Sequence, residues 1–226
     1  MSPSLEIVLL WLAFGTSHIA LSSNAWRPAI VARTGSLAFQ ALYSVLALAI
    51  FVPLVSVYLG HRHGGGWLWT VPITPVSLWI VYALTTVGVL LLVAGFVTPS
   101  PTSISAGKGP VEVRGVHRIT RHPVVMGFGW IGLSHLVLNA SLNDVAFWLG
   151  FPLFAIVGAR HQERRMRVTR GPEFAAYLDA TPFVPFTGRG SLRGVAELPP
   201  LVWVVGIGLA AGLRWLHGPL FHAPAP

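Results

Sequence analysis

Apolar residues along this chain are gathered into blocks about as long as a bilayer is thick, and that spacing constrains the fold more than any other feature. A helix needs about 20 apolar residues to cross the hydrocarbon core. Six segments qualify, at roughly 5–22, 36–59, 74–97, 123–139, 144–159 and 198–217. The fourth and fifth are short and separated only by Asn139 to Asn143, which predicts a tight helical hairpin. The 226 residues are 54% hydrophobic and 10% charged, whereas a soluble domain carries about 25% charged residues. A disordered tail would need low hydrophobicity and high charge. The expected fold is therefore all-α: a polytopic integral membrane protein of about six transmembrane helices, forming a single domain over residues 1–226. The first block has Glu6 as its only early charge and lacks the basic start and small-residue cleavage site of a signal peptide, so it reads as a retained helix.

Of the 15 Lys and Arg residues, 13 fall in the segments Ser22–Gly35, Thr98–His122 and Arg160–Leu198, the exceptions being Arg62 and Arg214. The positive-inside rule places those three loops in the cytoplasm and both termini outside. In a membrane chain this basic excess orients the helices, and no nucleic-acid partner is expected. The sequence contains no cysteine. Disulfides, iron–sulfur clusters, thiolate zinc sites and covalent haem attachment through Cys-x-x-Cys-His are thereby excluded, and any metal must be held by His, carboxylate or Met.

Three groups of residues stand out against the apolar background. Arg121-His122-Pro123 sits where the fourth block begins. Proline is at home in a first helical turn, so Arg121 and His122 flank a helix N-terminus, where anions are favoured. The plainer reading is a basic cluster touching lipid phosphate. Glu163 lies among arginines in Arg160-His161-Gln162-Glu163-Arg164-Arg165, either as an ion pair anchoring two loops or as part of a cofactor pocket. His18 and His135 fall inside the first and fourth blocks. An ionisable side chain within a membrane is a functional-site candidate by default, against the alternative of a neutral imidazole bonded to a neighbouring helix. Paired imidazoles suit a haem iron. His122 and His135 are 13 residues apart, or about 20 Å along one helix, and cannot share a metal. His61 and His63 read as solvated loop residues.

In its residue strings the chain resembles the NnrU family, which includes the zeta-carotene isomerases. The likeness is carried by Phe14-Gly15-Thr16-Ser17-His18, Arg27, Val31-Ala32-Arg33-Thr34-Gly35 and Ala41-Leu42-Tyr43-Ser44. It continues through Arg121-His122-Pro123 with Gly127, Ser134-His135-Leu136, Asn139, and Thr181-Pro182-Phe183-Val184-Pro185-Phe186 with Gly188-Arg189. It covers about residues 5–190, leaving a further helix at about 198–217. The resemblance implies a bacterial inner-membrane protein, with haem b held between His18 and His135 as metal ligands. It also implies either redox-dependent cis–trans isomerisation of a lipophilic polyene drawn from the bilayer or a part in denitrification. By the helical rise, His18 and His135 fall about 10 Å apart in depth. That leaves open a pairing of His18 with His122.

A second likeness, to the isoprenylcysteine and phospholipid methyltransferases, rests on Arg121-His122-Pro123, Gly127, Glu163, Gly171, Tyr177 and Pro185. It implies an S-adenosylmethionine site with Arg121, His122 and Glu163 as its catalytic residues, although that family often has paired acidic residues where this chain has Gln162-Glu163. A non-catalytic membrane assembly factor is the third reading.

Overall fold

The computed structural model describes residues 1–101 and 112–221. In chain order the elements are α1 (Pro3–Ser22), α2 (Arg27–Thr34), α3 (Ser36–His61), β1 (Trp67–Thr70), α4 (Pro75–Val97), α5 (Val116–Ile119), α6 (Pro123–His135), β2 (Asn139–Ser141), α7 (Leu142–Trp148), α8 (Gly150–Arg170), α9 (Pro172–Ala180), α10 (Ser191–Ala196) and α11 (Pro200–Phe221). Proline opens α1, α4, α6, α9 and α11, where its missing N–H has no helical partner to lose. Side chains complete several of these starts. Ser2 caps α1, and reciprocal capping boxes join Thr74 to Ser77 and Ser141 to Asp144.

Among the described residues, five helical segments are long and apolar enough to cross a membrane: Pro3–Ser22, Ser36–His61, Pro75–Val97, Leu142–Arg170 and Pro200–His217. The expected fourth span is shorter than its apolar block. With 13 residues, α6 rises about 20 Å, against a hydrocarbon core of about 30 Å. The fifth span is longer than expected, since Arg160 to Arg170 continue α8 where a loop was anticipated. The turn between the fourth and fifth blocks is also more than a helical hairpin. It contains β2, which pairs antiparallel with β1, so the loops around residues 60–73 and 139–143 are stitched together.

The chain divides into two compact units, each assembled from two stretches of sequence. The first comprises Met1–Pro72 and His135–Thr169. Its core is Ile7, Leu54, Tyr58 and Phe147, flanked by Trp11, Phe51 and Phe151. Tyr58 stacks flat on Phe147 at 4.0 Å, and the Trp11 indole N–H donates to the Phe147 carbonyl at 3.0 Å. A side chain at Gly150 would run into the Trp11 ring. Contacts advance together along α1 and α8, from Trp11 on Phe151, through His18 on Phe154, to Ser22 on His161, so the two helices run parallel.

The second unit comprises Ile73–Ser134 and Arg170–Pro226. Val89, Leu91, Ala94, Val116, Ile119 and Val202 form its core. Gly88 and Gly127 let α4 and α6 meet backbone to backbone, and a Cβ on Gly127 would lie 2.7 Å from the Gly88 carbonyl oxygen. Large apolar side chains elsewhere on the long helices point away from protein, among them Leu12, Val45, Val76, Trp79, Phe96 and Val204. Hydrocarbon is the solvent in which such a surface is stable.

Candidate functional site

His18 sits one turn before the end of α1, half-buried among the rings of Phe14 (4.1 Å between centroids), Tyr43 (4.7 Å) and Phe154 (5.4 Å). Its Nδ1 lies 3.2 Å from the Phe14 carbonyl oxygen of the preceding turn. With the proton on Nδ1, that carbonyl fixes the ring and leaves Nε2 with a lone pair. Nε2 has no hydrogen-bond partner among the described residues. This is the usual posture of an imidazole metal ligand, one nitrogen tied to backbone and the other presented.

A polar collar begins one turn beyond. Ser22 Oγ donates to the His18 carbonyl at 2.6 Å and meets His161 Nε2 at 3.2 Å, while Tyr43 Oη donates to the same carbonyl at 3.3 Å. Arg165 Nη1 donates to the Ser22 carbonyl at 3.2 Å. Arg27, stacked over Phe39 at 5.5 Å, is close enough for the two guanidiniums to repel each other. No carboxylate among the described residues pairs with either arginine. The end of α1 thus carries two uncompensated positive charges beside a presented imidazole nitrogen. In the sequence Arg27 entered only through the family likeness and Arg165 only as one of the arginines around Glu163, because the charge of each is ordinary for a basic loop.

His135 lies elsewhere in the same unit, stacked on Trp148 at 3.7 Å and 13°. Trp148 precedes Phe154, the neighbour of His18, by six residues of the span Leu142–Arg170, a rise of about 9 Å. Rings fill the interval: Trp148 touches Phe151, Phe151 touches Trp11, and Trp11 touches Phe154. Two imidazoles gripping one metal must bring their nitrogens within about 4 Å, because each metal–nitrogen bond is about 2 Å. The expected pairing of His18 with His135 does not fit this arrangement. Among the described residues no group of three or more His, Asp or Glu side chains could hold a metal ion.

At the other end of α3 the unit holds a carboxylate that sequence reasoning missed. Asp144, 1% exposed, accepts from Tyr58 Oη (3.0 Å), the His63 backbone N–H (3.3 Å) and His63 Nδ1 (3.1 Å). It also accepts from the Ser141 N–H (3.0 Å) and Ser141 Oγ (2.8 Å). Trp148 Nε1 in turn donates to Tyr58 Oη at 2.8 Å. His63 is exposed, as expected of a loop residue, but is also anchored by Asp144 and held at φ 60. The Ser141-x-x-Asp144 spacing of a capping box was the available signal. Glu163, buried at 8% exposure on α8, also belongs to this first unit.

Arg121 and His122 belong to the second unit. Arg121 Nη1 donates to the carbonyls of Thr181 (2.6 Å) and Leu178 (3.1 Å), satisfying the last turn of α9, and its backbone N–H donates to Pro182 at 2.9 Å. The guanidinium also stacks over Phe183 at 5.2 Å, and the His122 ring meets Phe183 edge-on at 5.6 Å. Thr120 Oγ1 donates to the Phe183 carbonyl at 2.8 Å. The Arg-His-Pro and Thr-Pro-Phe segments, 60 residues apart in sequence, are thus one structural joint. His117, 1% exposed, lies nearby, its ring edge-on to Tyr177 at 5.7 Å. Its nitrogens lie near the backbone oxygens of Thr98 and Glu112 without a well-aligned bond to either. Burial pushes its pKa below the usual histidine value of 6.5, against a smaller upward pull from those oxygens.

Five bilayer-length helices among the described residues and an outer surface of apolar side chains define a helical integral membrane protein. The sequence model of the NnrU family, described as NnrU protein, matches residues 6–225. The chain belongs to the NnrU family. No curated protein matches it, and no solved structure matches it.

Proposed function

We propose that this member of the NnrU family is a membrane haem protein in which His18 is the axial ligand and Arg27 and Arg165 receive the haem carboxylates. The observation that carries this reading is the conjunction at the end of α1. An imidazole is aimed by its own helix with Nε2 unpartnered among the described residues, and two guanidiniums one turn away lack a counter-anion. An uncompensated charge pair beside an apolar layer is costly, and a ligand bearing both an imidazole-binding metal and carboxylates answers both requirements. When bound, the haem would supply one-electron redox chemistry at the iron. The chain's own contribution is positional. Phe14 fixes the imidazole tautomer, Phe154 and Tyr43 limit its rotation, and the surrounding rings exclude water. A lipophilic substrate would reach such a centre from the bilayer, with the basic loops facing the cytoplasm.

His135 has no part in this ligand set. The methyl-donor reading loses support because Arg121 spends donors on the carbonyls of α9.

The test is the visible spectrum of the full-length protein purified in detergent and titrated with haemin. The expected result is a Soret band that His18→Ala abolishes and His135→Ala leaves intact, with haem retention weakened in Arg165→Gln. A protein that stays colourless under titration overturns the haem reading. Loss of the band in His135→Ala overturns the single-histidine assignment.

A further inference from the structure

A pocket of about 410 Å³ opens in the second unit, lined by Arg118, Asp179, Thr181, Thr187, Gly188 and Arg189 among others. Asp179 and Arg189 are both exposed, and neither side chain forms an ion pair or hydrogen bond with any described residue. Opposite charges lining one pocket that do not neutralise each other are complementary to a ligand carrying both signs. Arg118 adds a second cation. Its Nε is committed to Glu197 at 2.9 Å, while its Nη1 lies against Gly190, itself on the pocket wall. Two guanidiniums suit an anion that spreads its charge over several oxygens, as a phosphodiester does. The lone carboxylate suits an ammonium.

The pocket's place in the fold indicates where such a ligand would come from. Thr181 and Pro182 on its rim are tied by Arg121 to the residue pair preceding Pro123. There α6 begins, and the chain from Val124 onward is apolar. The rim therefore lies at the edge of an apolar helix, the level of lipid headgroups. The same stretch of chain displays Val184 (50% exposed), Phe186 (42%) and Leu192 (85%). A headgroup in the pocket would leave these side chains to meet acyl chains.

We propose that the pocket binds the phosphoethanolamine headgroup of a membrane phospholipid, its phosphate on Arg118 and Arg189 and its ammonium on Asp179. The site does not depend on haem.

The experiment is thermal unfolding of the delipidated full-length protein in detergent, titrated separately with phosphatidylethanolamine, phosphatidylglycerol and free phosphoethanolamine. Both substituted side chains are exposed and unpaired among the described residues, so Arg189→Ala and Asp179→Asn are expected to fold. Phosphatidylethanolamine should raise the melting temperature at lower concentration than phosphatidylglycerol. Arg189→Ala should weaken the response to both lipids about tenfold, the effect of losing one charge-assisted bond. Asp179→Asn should remove the preference between them. Equal responses to the two lipids in the native chain, or variants that respond as it does, overturn the proposal. A full response to free phosphoethanolamine would show a soluble-ligand site and overturn the lipid assignment.

Discussion

Tyr58 donates its phenolic proton to Asp144 across 3.0 Å, and through that one carboxylate α3, the β1 loop and the start of α7 are joined. A buried anion is tolerable only while its donors are in place, and here the donors depend equally on it. Asp144→Ala leaves the Tyr58 hydroxyl, two His63 groups and the Ser141 pair without their acceptor, and should cost about 3 kcal/mol. Tyr58→Phe should cost about 1 kcal/mol. Because the groups share one acceptor, the double variant should lose less than the sum. Chemical or thermal denaturation in detergent measures all three.

The contact of Gly88 with Gly127 predicts a steric effect with the opposite cause. A methyl at Gly127 would meet the Gly88 carbonyl oxygen at 2.7 Å and the Leu92 side chain at 2.8 Å. Backbone on that side cannot move without parting α4 from α6. Gly127→Ala should lower stability by about 1–3 kcal/mol. Gly208→Ala, at a position with nothing within 4 Å of the added carbon, should be nearly neutral. Melting temperatures of the two variants provide the comparison.

Arg121 should matter for shape more than for charge. Its planar head reaches both Leu178 and Thr181 while stacking on Phe183, and an ammonium cannot reproduce that geometry. Arg121→Lys should therefore be destabilised nearly as much as Arg121→Ala, by about 2 kcal/mol. Limited proteolysis should show cleavage near residues 178–186 rising in both. Full retention of protease resistance in the lysine variant would contradict this account.

Two groups give the second unit a pH dependence in separate windows. His117 is held below 6.5, so its contribution is complete above that pH and declines as pH falls below it, because the unfolded chain then takes up a proton the native state refuses. Glu197 accepts from the Gly115 N–H, Arg193 and Arg118, which hold its carboxyl at about 2 against an ordinary 4.5. Its contribution is complete above 4.5 and is lost as pH falls toward 2. Melting curves of His117→Phe should flatten between pH 7 and 5, and those of Glu197→Gln between pH 4.5 and 2.

Much of this protein follows from short-range rules that act within a few residues of sequence. Block length and apolar content set four of the five bilayer-length helices to within a few residues. Prolines such as Pro3, Pro75 and Pro123 mark helix starts because a first turn forgives a missing N–H. The membership of the chain in its family was legible in Phe14–His18, Arg121–Pro123 and Thr181–Phe186 for the same reason: each is a local string.

What pairs with what was not legible. His18 and His135 look equivalent as buried imidazoles, yet one is aimed by Phe14 and the other stacked on Trp148, levels apart. Arg121 reads as an anion-binding cation but completes the end of α9. Asp144, unremarked in a polar turn, accepts five hydrogen bonds. Sequence decides which segments can leave water, since that depends on composition summed over a helix. Only the packing of segments distant in the chain decides which polar atoms find partners, because a hydrogen bond is made or lost over less than 1 Å.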